Sequence, residues 1–314
     1  MQILNSFTEK EKQEIPLALA LGNFDGVHRG HQLLLQKCRE ESEANGWASA
    51  VLLWDPHPAK VLRHDDEVKF INTCSQKNKL IAALGLQYLF CLPFDQNTAA
   101  LSPEDFVRRY LQDLFGVRKV YVGFNYSFGQ NGVGTPEILQ MLGEERGFAV
   151  SVIAPVTIDG EIVSSSLIRQ KLLAGDIPAA AKLLGYAPIL EGNVVPGKHR
   201  GTGLGFPTAN IAVPAEQLLP SNGVYAAIAE YKDEQYPAIL NIGMKPTFNG
   251  DQITVEVHIP GVHANLYNQF LRARLIKKIR DEQKFPSKDA LSSQISRDLA
   301  ASRRILQEDG DFMK

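Results

Sequence analysis

The 314 residues exceed the usual span of one domain. Their 44% hydrophobic and 22% charged composition belongs to a globular chain with sizeable cores, excluding intrinsic disorder, collagen-like repetition and coiled coil as the main architecture. Thirty-three Lys+Arg against 35 Asp+Glu give a formal net charge of -2, which argues against a dedicated nucleic-acid binder and leaves only a local basic patch open.

At the N-terminus, MQILNSFTEKEKQE is polar where a signal peptide would be apolar. The longest apolar stretch, Ile15 to Leu21, contains a proline and is too short to span a bilayer. Cys38, Cys74 and Cys91 form no C-x-x-C pair, so neither a disulfide framework nor a structural zinc site is expected. A reduced, cytoplasmic protein without a membrane partner follows as the expectation.

Leu17 to Leu21 then reads as a buried parallel strand ending in Gly22, and His31 to Glu43 as a helix with Leu34, Leu35 and Cys38 at helical spacing. Ala48 to Trp54 is a second apolar run, closed by Asp55-Pro56-His57-Pro58. Tyr88 to Leu92, Lys119 to Val122 and Val150 to Ala154 supply further strands. Ser102-Pro103-Glu104-Asp105 opens a helix, with proline in its first turn and acids at its positive end. The alternation predicts an open, mostly parallel sheet flanked by helices.

After about Gly185 the pattern changes. From Pro188 to His263, short β-branched runs are split by glycine and proline, as in 192–195, 224–228, 238–242 and 254–259. No helical period survives there, so a small antiparallel barrel is expected, with Gln269 to Ile279 extending its sheet. A helix from Ser287 to Leu306 follows, its apolar face being Leu291, Ile295, Leu299 and Ile305. The domains are expected at 1–185 and 186–314.

The segment with most chemistry is Gly22-Asn23-Phe24-Asp25-Gly26-Val27-His28-Arg29-Gly30-His31. It joins a strand to a helix, where free backbone N–H groups meet an anion. Gly26 and Gly30 permit close backbone approach, and His28 and His31 can donate to phosphate oxygens. Ser164, Ser165 and Ser166 can cap a helix while Arg169 reaches a phosphate with its fork. Asn125 follows a strand end, where ligands of α/β sheets sit. Asp55 and Pro56 read equally as a cleft wall or as a simple strand-ending turn.

In the second half, Thr208 and Asn210 fall on one face if their segment is extended, and offer hard oxygen ligands suited to Mg²⁺. The glycine-rich run before them, with Gly197, Lys198, Gly203, Gly205 and Pro207, can fold over phosphates although it lacks the P-loop pattern. Glu256 alternates with Val255 and Val257, which puts it on the opposite face of its strand.

His28-Arg29-Gly30-His31 resembles the H-x-G-H phosphate-binding motif of nucleotidylyltransferases, and GNFDGVHRGH is similar to the string of prokaryotic bifunctional riboflavin kinase/FAD synthetases. WDPHP at 54–58, GFNYSFG at 123–129 and SSSLIR at 164–169 fit in order. So do GKHRGTGLGFPTANI at 197–211, NIGMKPTF at 241–248 and VEVHI at 255–259. The resemblance implies a Rossmann-like nucleotidyltransferase α/β domain followed by a riboflavin kinase-like barrel with a C-terminal helix.

It also implies ATP-dependent phosphorylation of riboflavin to FMN, then adenylyl transfer from ATP to FMN, giving FAD and pyrophosphate with Mg²⁺. His28 and His31 would be catalytic in the adenylyl step, and Gly22, Asn23, Phe24, Asp25, Gly26, Gly30 and Asn125 would bind ATP with the serines and Arg169. Asp55, Pro56 and Arg280 would bind flavin, Thr208 and Asn210 the metal, and Glu256 would take the proton from the riboflavin 5′-hydroxyl. Two departures stand out: Gln130-Asn131-Gly132-Val133-Gly134 replaces a loop that often carries arginine, and Asn268 replaces a glycine. A single-activity enzyme and a non-enzymatic flavin-sensing regulator are the rival readings, and no oligomeric state is implied.

Overall fold

The computed structural model describes residues 1–6, 16–63, 68–196, 206–247, 250–262, 265–308 and 310. By packing, the chain divides into one unit of Met1–Ser165 and another of Ser166–Lys314.

In the first unit, β1 (Gln2–Leu4), β2 (Leu17–Leu21), β3 (Ala48–Asp55), β4 (Tyr88–Pro93), β5 (Val117–Gly123) and β6 (Ala149–Ile153) form one sheet in the order β1-β4-β3-β2-β5-β6. Every neighbouring pair is parallel. Around it lie α1 (Arg29–Asn45), α2 (Pro58–Arg63), α3 (Cys74–Ala83), α4 (Gln96–Ala99), α5 (Pro103–Phe106, continued as a π-helical segment over Val107–Leu114) and α6 (Pro136–Arg146). A two-stranded hairpin, β7 (Thr157–Ile158) and β8 (Glu161–Ile162), follows.

The Leu-Ala alternation of β2 is buried along its whole length because both faces of the sheet are covered. Leu19 and Leu21 join Leu52, Val120 and Val122 on one side, while Ala18 and Ala20 join Val51, Leu53 and the α1 residues Leu34, Leu35 and Cys38 on the other. The strand order reverses at β2: β3 and β4 lie to one side, β5 and β6 to the other. That reversal opens a crevice at the carboxyl ends of the strands, where such sheets bind ligands.

The second unit is a closed barrel of β9 (Ile189–Val195), β10 (Ala209–Ile211), β11 (Gly223–Tyr231), β12 (Glu234–Thr247), β13 (Gly250–His258) and β14 (Phe270–Arg280), in the order β10-β13-β12-β11-β14-β9. All its pairings are antiparallel. Closure removes the edge strands that so short a sheet would otherwise expose. Preceding it are α7 (Ser165–Ala174) and α8 (Ile177–Leu184), the latter packed on β14, and α9 (Lys288–Glu308) lies over β11, β12 and β14.

The buried face of α9 differs from the apolar stripe expected. Asp298, Ser302, Ile305 and Leu306 are buried, whereas Leu291, Ile295 and Leu299 are only half-buried. The reason is polar: Asp298 receives Arg280 from β14, and Ser302 Oγ donates to the Ala238 carbonyl at 3.0 Å. An apolar period cannot report a buried ion pair.

Candidate functional sites

The first site is the turn between β2 and α1. Phe24 (φ 50°), Gly26 (φ 85°) and Val27 (φ 35°) all take left-handed backbone, which is costly for the two that carry side chains. Burial fixes them: Phe24 is 0% and Val27 1% exposed. The Asp25 carboxylate turns inward to accept from the backbone N–H groups of Ile71 at 3.0 Å and Asn72 at 3.5 Å. Its carbonyl accepts from Ser165 Oγ at 2.8 Å, which fastens the first residue of α7 to the same turn. Asp25, expected among the nucleotide contacts, thus holds the turn in shape.

His28 caps α1, its Nδ1 accepting from the backbone N–H of His31 at 3.3 Å. That bond leaves Nε2 as the protonated nitrogen. The rings of His28 and His31 stack at 3.6 Å, with Phe24 5.1 Å from the ring of His31. Gly30 leaves room for this stack, since a Cβ there would lie 3.2 Å from His28 Cε1 and press on the ring.

Burial pushes His28 down to about 4, and His31 is held well below the ordinary histidine value by burial first, then by the charges of His28 and Lys77. Near neutral pH both imidazoles are therefore uncharged donors. His31 Nδ1 is buried with no hydrogen-bond partner, an incomplete polar site of the kind a ligand satisfies. Farther along α1, Glu41 accepts from Lys119 Nζ and Tyr121 Oη of β5, each at 2.5 Å, so the helix is fixed to the sheet.

Parallel pairing brings other expected residues to the same edge of the sheet. Asp55 ends β3, beside β2, and precedes Pro56 through a cis peptide bond; both residues are exposed. Asn125 follows β5 on the other side of β2 and is also exposed. Gln130–Gly132 is a tight 3₁₀ turn held by the Gln130 N–H donating to the Leu101 carbonyl. Arg169 lies one turn beyond Ser165 on α7, in the second unit, while Ser164 immediately precedes the helix.

Sequence reasoning missed Lys77 of α3, whose Nζ donates to the Asn23 carbonyl at 3.3 Å. Nothing local marks it, because that contact spans more than fifty residues.

The second site lies on the barrel. Val255 and Val257 are buried, and Glu256 between them sits half-buried on the opposite face of β13. Register pairs Glu256 with Asn210 of β10 on one side and with Asn241 of β12 on the other. Directly paired residues share a face, so these three form one row. Thr208 precedes β10, and the Nδ1–H of buried His258 donates to the Pro207 carbonyl at 2.7 Å, fixing this approach to β13. Asn241 was quoted within a motif but given no role; only the register reveals its position.

Gly197, Lys198, Gly203 and Gly205 lie outside the described residues. Among the described residues, no three His, Cys, Asp or Glu side chains are grouped to hold a metal. Thr208, Asn210 and Glu256 nevertheless provide hydroxyl, amide and carboxylate oxygens, a donor set that fits Mg²⁺ when phosphates complete its shell.

Arg280, expected beside the flavin, is anchored to α9. Its Nε donates to both Asp298 oxygens at 3.0 Å, its Nη2 donates to Oδ2 at 2.8 Å, and its Nη1 donates to the Asp281 carbonyl at 3.0 Å. Asp298 is 2% exposed, so the pair is a buried bidentate one.

Comparison with known proteins finds a match for each half of the chain. The FAD synthetase family model matches residues 10–167, and the riboflavin kinase model residues 184–306. Bifunctional riboflavin kinase/FMN adenylyltransferase of Escherichia coli K12 is 35% identical over 91% of this chain and 92% of its own. The Bacillus subtilis protein of the same name is 34% identical over 92% of each. A solved structure described as a macrolide-efflux protein from Streptococcus pneumoniae superposes with a TM-score of 0.88 at 27% identity, covering 96% of this chain and 98% of its own. No helix among the described residues is long and apolar enough to cross a membrane. With both halves matched in order, and curated relatives covered nearly end to end, this chain belongs to the bifunctional riboflavin kinase/FMN adenylyltransferase family.

Proposed function

We propose that each unit performs one step of flavin-cofactor synthesis, the barrel converting riboflavin to FMN and the α/β unit converting FMN to FAD, with ATP as co-substrate in both. The observation that carries the reading is the coexistence of two separate polar constellations: the stacked His28–His31 cap and the Asn210–Glu256–Asn241 row.

In the α/β unit, an oxygen of the FMN phosphate attacks the α-phosphorus of ATP and pyrophosphate departs. No protein nucleophile is required. The unit has to hold both phosphates in line and donate hydrogen bonds to charge as it develops. Neutral His28 and His31, at the start of α1, suit that task. Asn125 and Arg169 are further candidate phosphate contacts, and Asp55 and Pro56 candidate flavin contacts.

In the barrel, Glu256 takes the proton of the riboflavin 5′-hydroxyl as that oxygen attacks the γ-phosphorus and ADP leaves. Thr208 and Asn210 would hold Mg²⁺, which when bound neutralises phosphate charge. Arg280 is a further candidate flavin contact, positioned by its ion pair with Asp298 of α9. We expect both reactions to run in the cytoplasm, with no nucleic-acid partner.

A second reading, in which only the kinase works, draws on the Gln130–Gly132 turn that replaces an arginine-bearing loop. Incubating the chain with riboflavin, ATP and Mg²⁺ and separating the flavins by chromatography decides between them. FAD accumulating after FMN supports two working sites, whereas FMN alone supports the second reading.

A further inference from the structure

His28 and His31 bring hydrogen bonds to the first site but no charge, and a triphosphate calls for charge. Lys77 is a cation held against the same turn from a distant helix. Its helix is fastened there twice: the Asp25 carboxylate binds the N–H groups of Ile71 and Asn72 just before α3, and Lys77 Nζ donates to the Asn23 carbonyl at 3.3 Å. A capping box formed by Thr73 and Gln76 sets where α3 starts, and thereby which residue faces the turn one helical step later.

The charge environment of Lys77 differs from that of comparable lysines. Lys119 pairs with Glu41 and Lys278 with Asp281, but no carboxylate among the described residues lies within ion-pair distance of Lys77. Its positive charge is close enough to His31 to oppose protonation of that ring. Lys77 is half-buried as a residue, and its ammonium, whose acceptor among the described residues is one carbonyl, keeps N–H groups and charge available to an anion.

We infer that Lys77 binds the β,γ-phosphates of ATP and takes up the negative charge of departing pyrophosphate. The inference rests on the reading of the α/β unit as an adenylyltransferase. In that step a bond forms between an FMN phosphate oxygen and the α-phosphorus. The bond from the α-phosphorus to the bridging oxygen breaks, and its electron pair leaves with pyrophosphate. A cation at that leaving group stabilises charge that is larger in the transition state than in bound ATP.

The test uses the full chain with Lys77→Met and Lys77→Arg. Lys77→Met should lower kcat for FMN adenylylation by about 100-fold, within the range for losing one such contact, with a smaller change in KM for FMN. Riboflavin phosphorylation in the same preparation should be unchanged, and Lys77→Arg should recover part of the loss. Binding of inorganic pyrophosphate, followed by calorimetry, should weaken at least tenfold in Lys77→Met.

Full adenylylation by Lys77→Met would overturn the assignment, as would loss of both activities together. So would lost adenylylation with pyrophosphate binding intact. A wild-type chain that binds pyrophosphate through Lys77 yet forms no FAD would instead count against the adenylyltransferase reading and leave the assignment standing.

Discussion

The two phosphate-handling sites are built in opposite ways. In the α/β unit the histidines and their turn come from ten consecutive residues, shaped by positive-φ turns, a histidine cap and the Asp25 carboxylate, with Lys77 reaching them from α3. In the barrel they come from three strands and meet only through register, Asn210 and Asn241 flanking Glu256. The first is a local backbone device tuned by burial, and the second a polar row on a rigid sheet. A local device tolerates change in the distant fold but is intolerant of change within its own turn. A register row is sensitive to anything that slips a strand, because one residue of slip reverses every side chain.

The largest expected effect is in the barrel. Glu256→Gln keeps the shape of the row and removes its base, so riboflavin phosphorylation should fall about 10²- to 10⁴-fold while FMN adenylylation stays at the wild-type rate. Steady-state assay of each step checks this, and equal loss in both steps would break the division between sites. Next comes His28→Asn, which retains a side-chain cap for α1 but loses the imidazole. Adenylylation should fall about 10²- to 10³-fold with little change in melting temperature and none in the kinase rate.

A stability effect separates the units in another way. Asp298→Ala strands the Arg280 guanidinium against α9 and should cost the barrel about 3–5 kcal/mol, read by urea unfolding. The α/β unit should unfold where it did before.

The smallest effect is a pH dependence confined to the local device. Folded His28 has its pKa pushed down to about 4 against an ordinary value of 6.5, so the unfolded chain binds the proton more readily between those values. The α/β unit should therefore lose stability as pH falls from about 6.5 to about 4, by up to roughly 3 kcal/mol from this residue. In urea unfolding at pH 7 and pH 4.5, His28→Asn should lose less stability on acidification than the wild type.

The same contrast explains what could be read without coordinates. The strand-helix alternation, the barrel and the strand-to-helix turn before α1 were legible, since each follows from hydrophobic period or from residues close in sequence; the cap made by His28 was not. Thr208, Asn210 and Glu256 stand out in the sequence as candidates, but the Asn210–Glu256–Asn241 row does not. Their pairing depends on β13 lying between β10 and β12.

Lys77 and Asp298 were invisible for a related reason: each acts through a contact to a distant segment, and neither a lysine on a helix nor an aspartate on an apolar stripe announces one. Asp25 reads as a ligand contact within its motif, and its part in shaping the turn is not legible there. Its carboxylate faces the backbone amides of Ile71 and Asn72, outside that motif. The packing of α8 on β14 is likewise a contact that no period in the helix reports.

The most direct test of the central claim is to measure both rates, riboflavin phosphorylation and FMN adenylylation, in Glu256→Gln and His28→Asn chains side by side. The account predicts a crossed result, each variant losing one step and keeping the other at the wild-type rate. A variant that loses both steps, or a Glu256→Gln chain that still makes FMN at full speed, would contradict it.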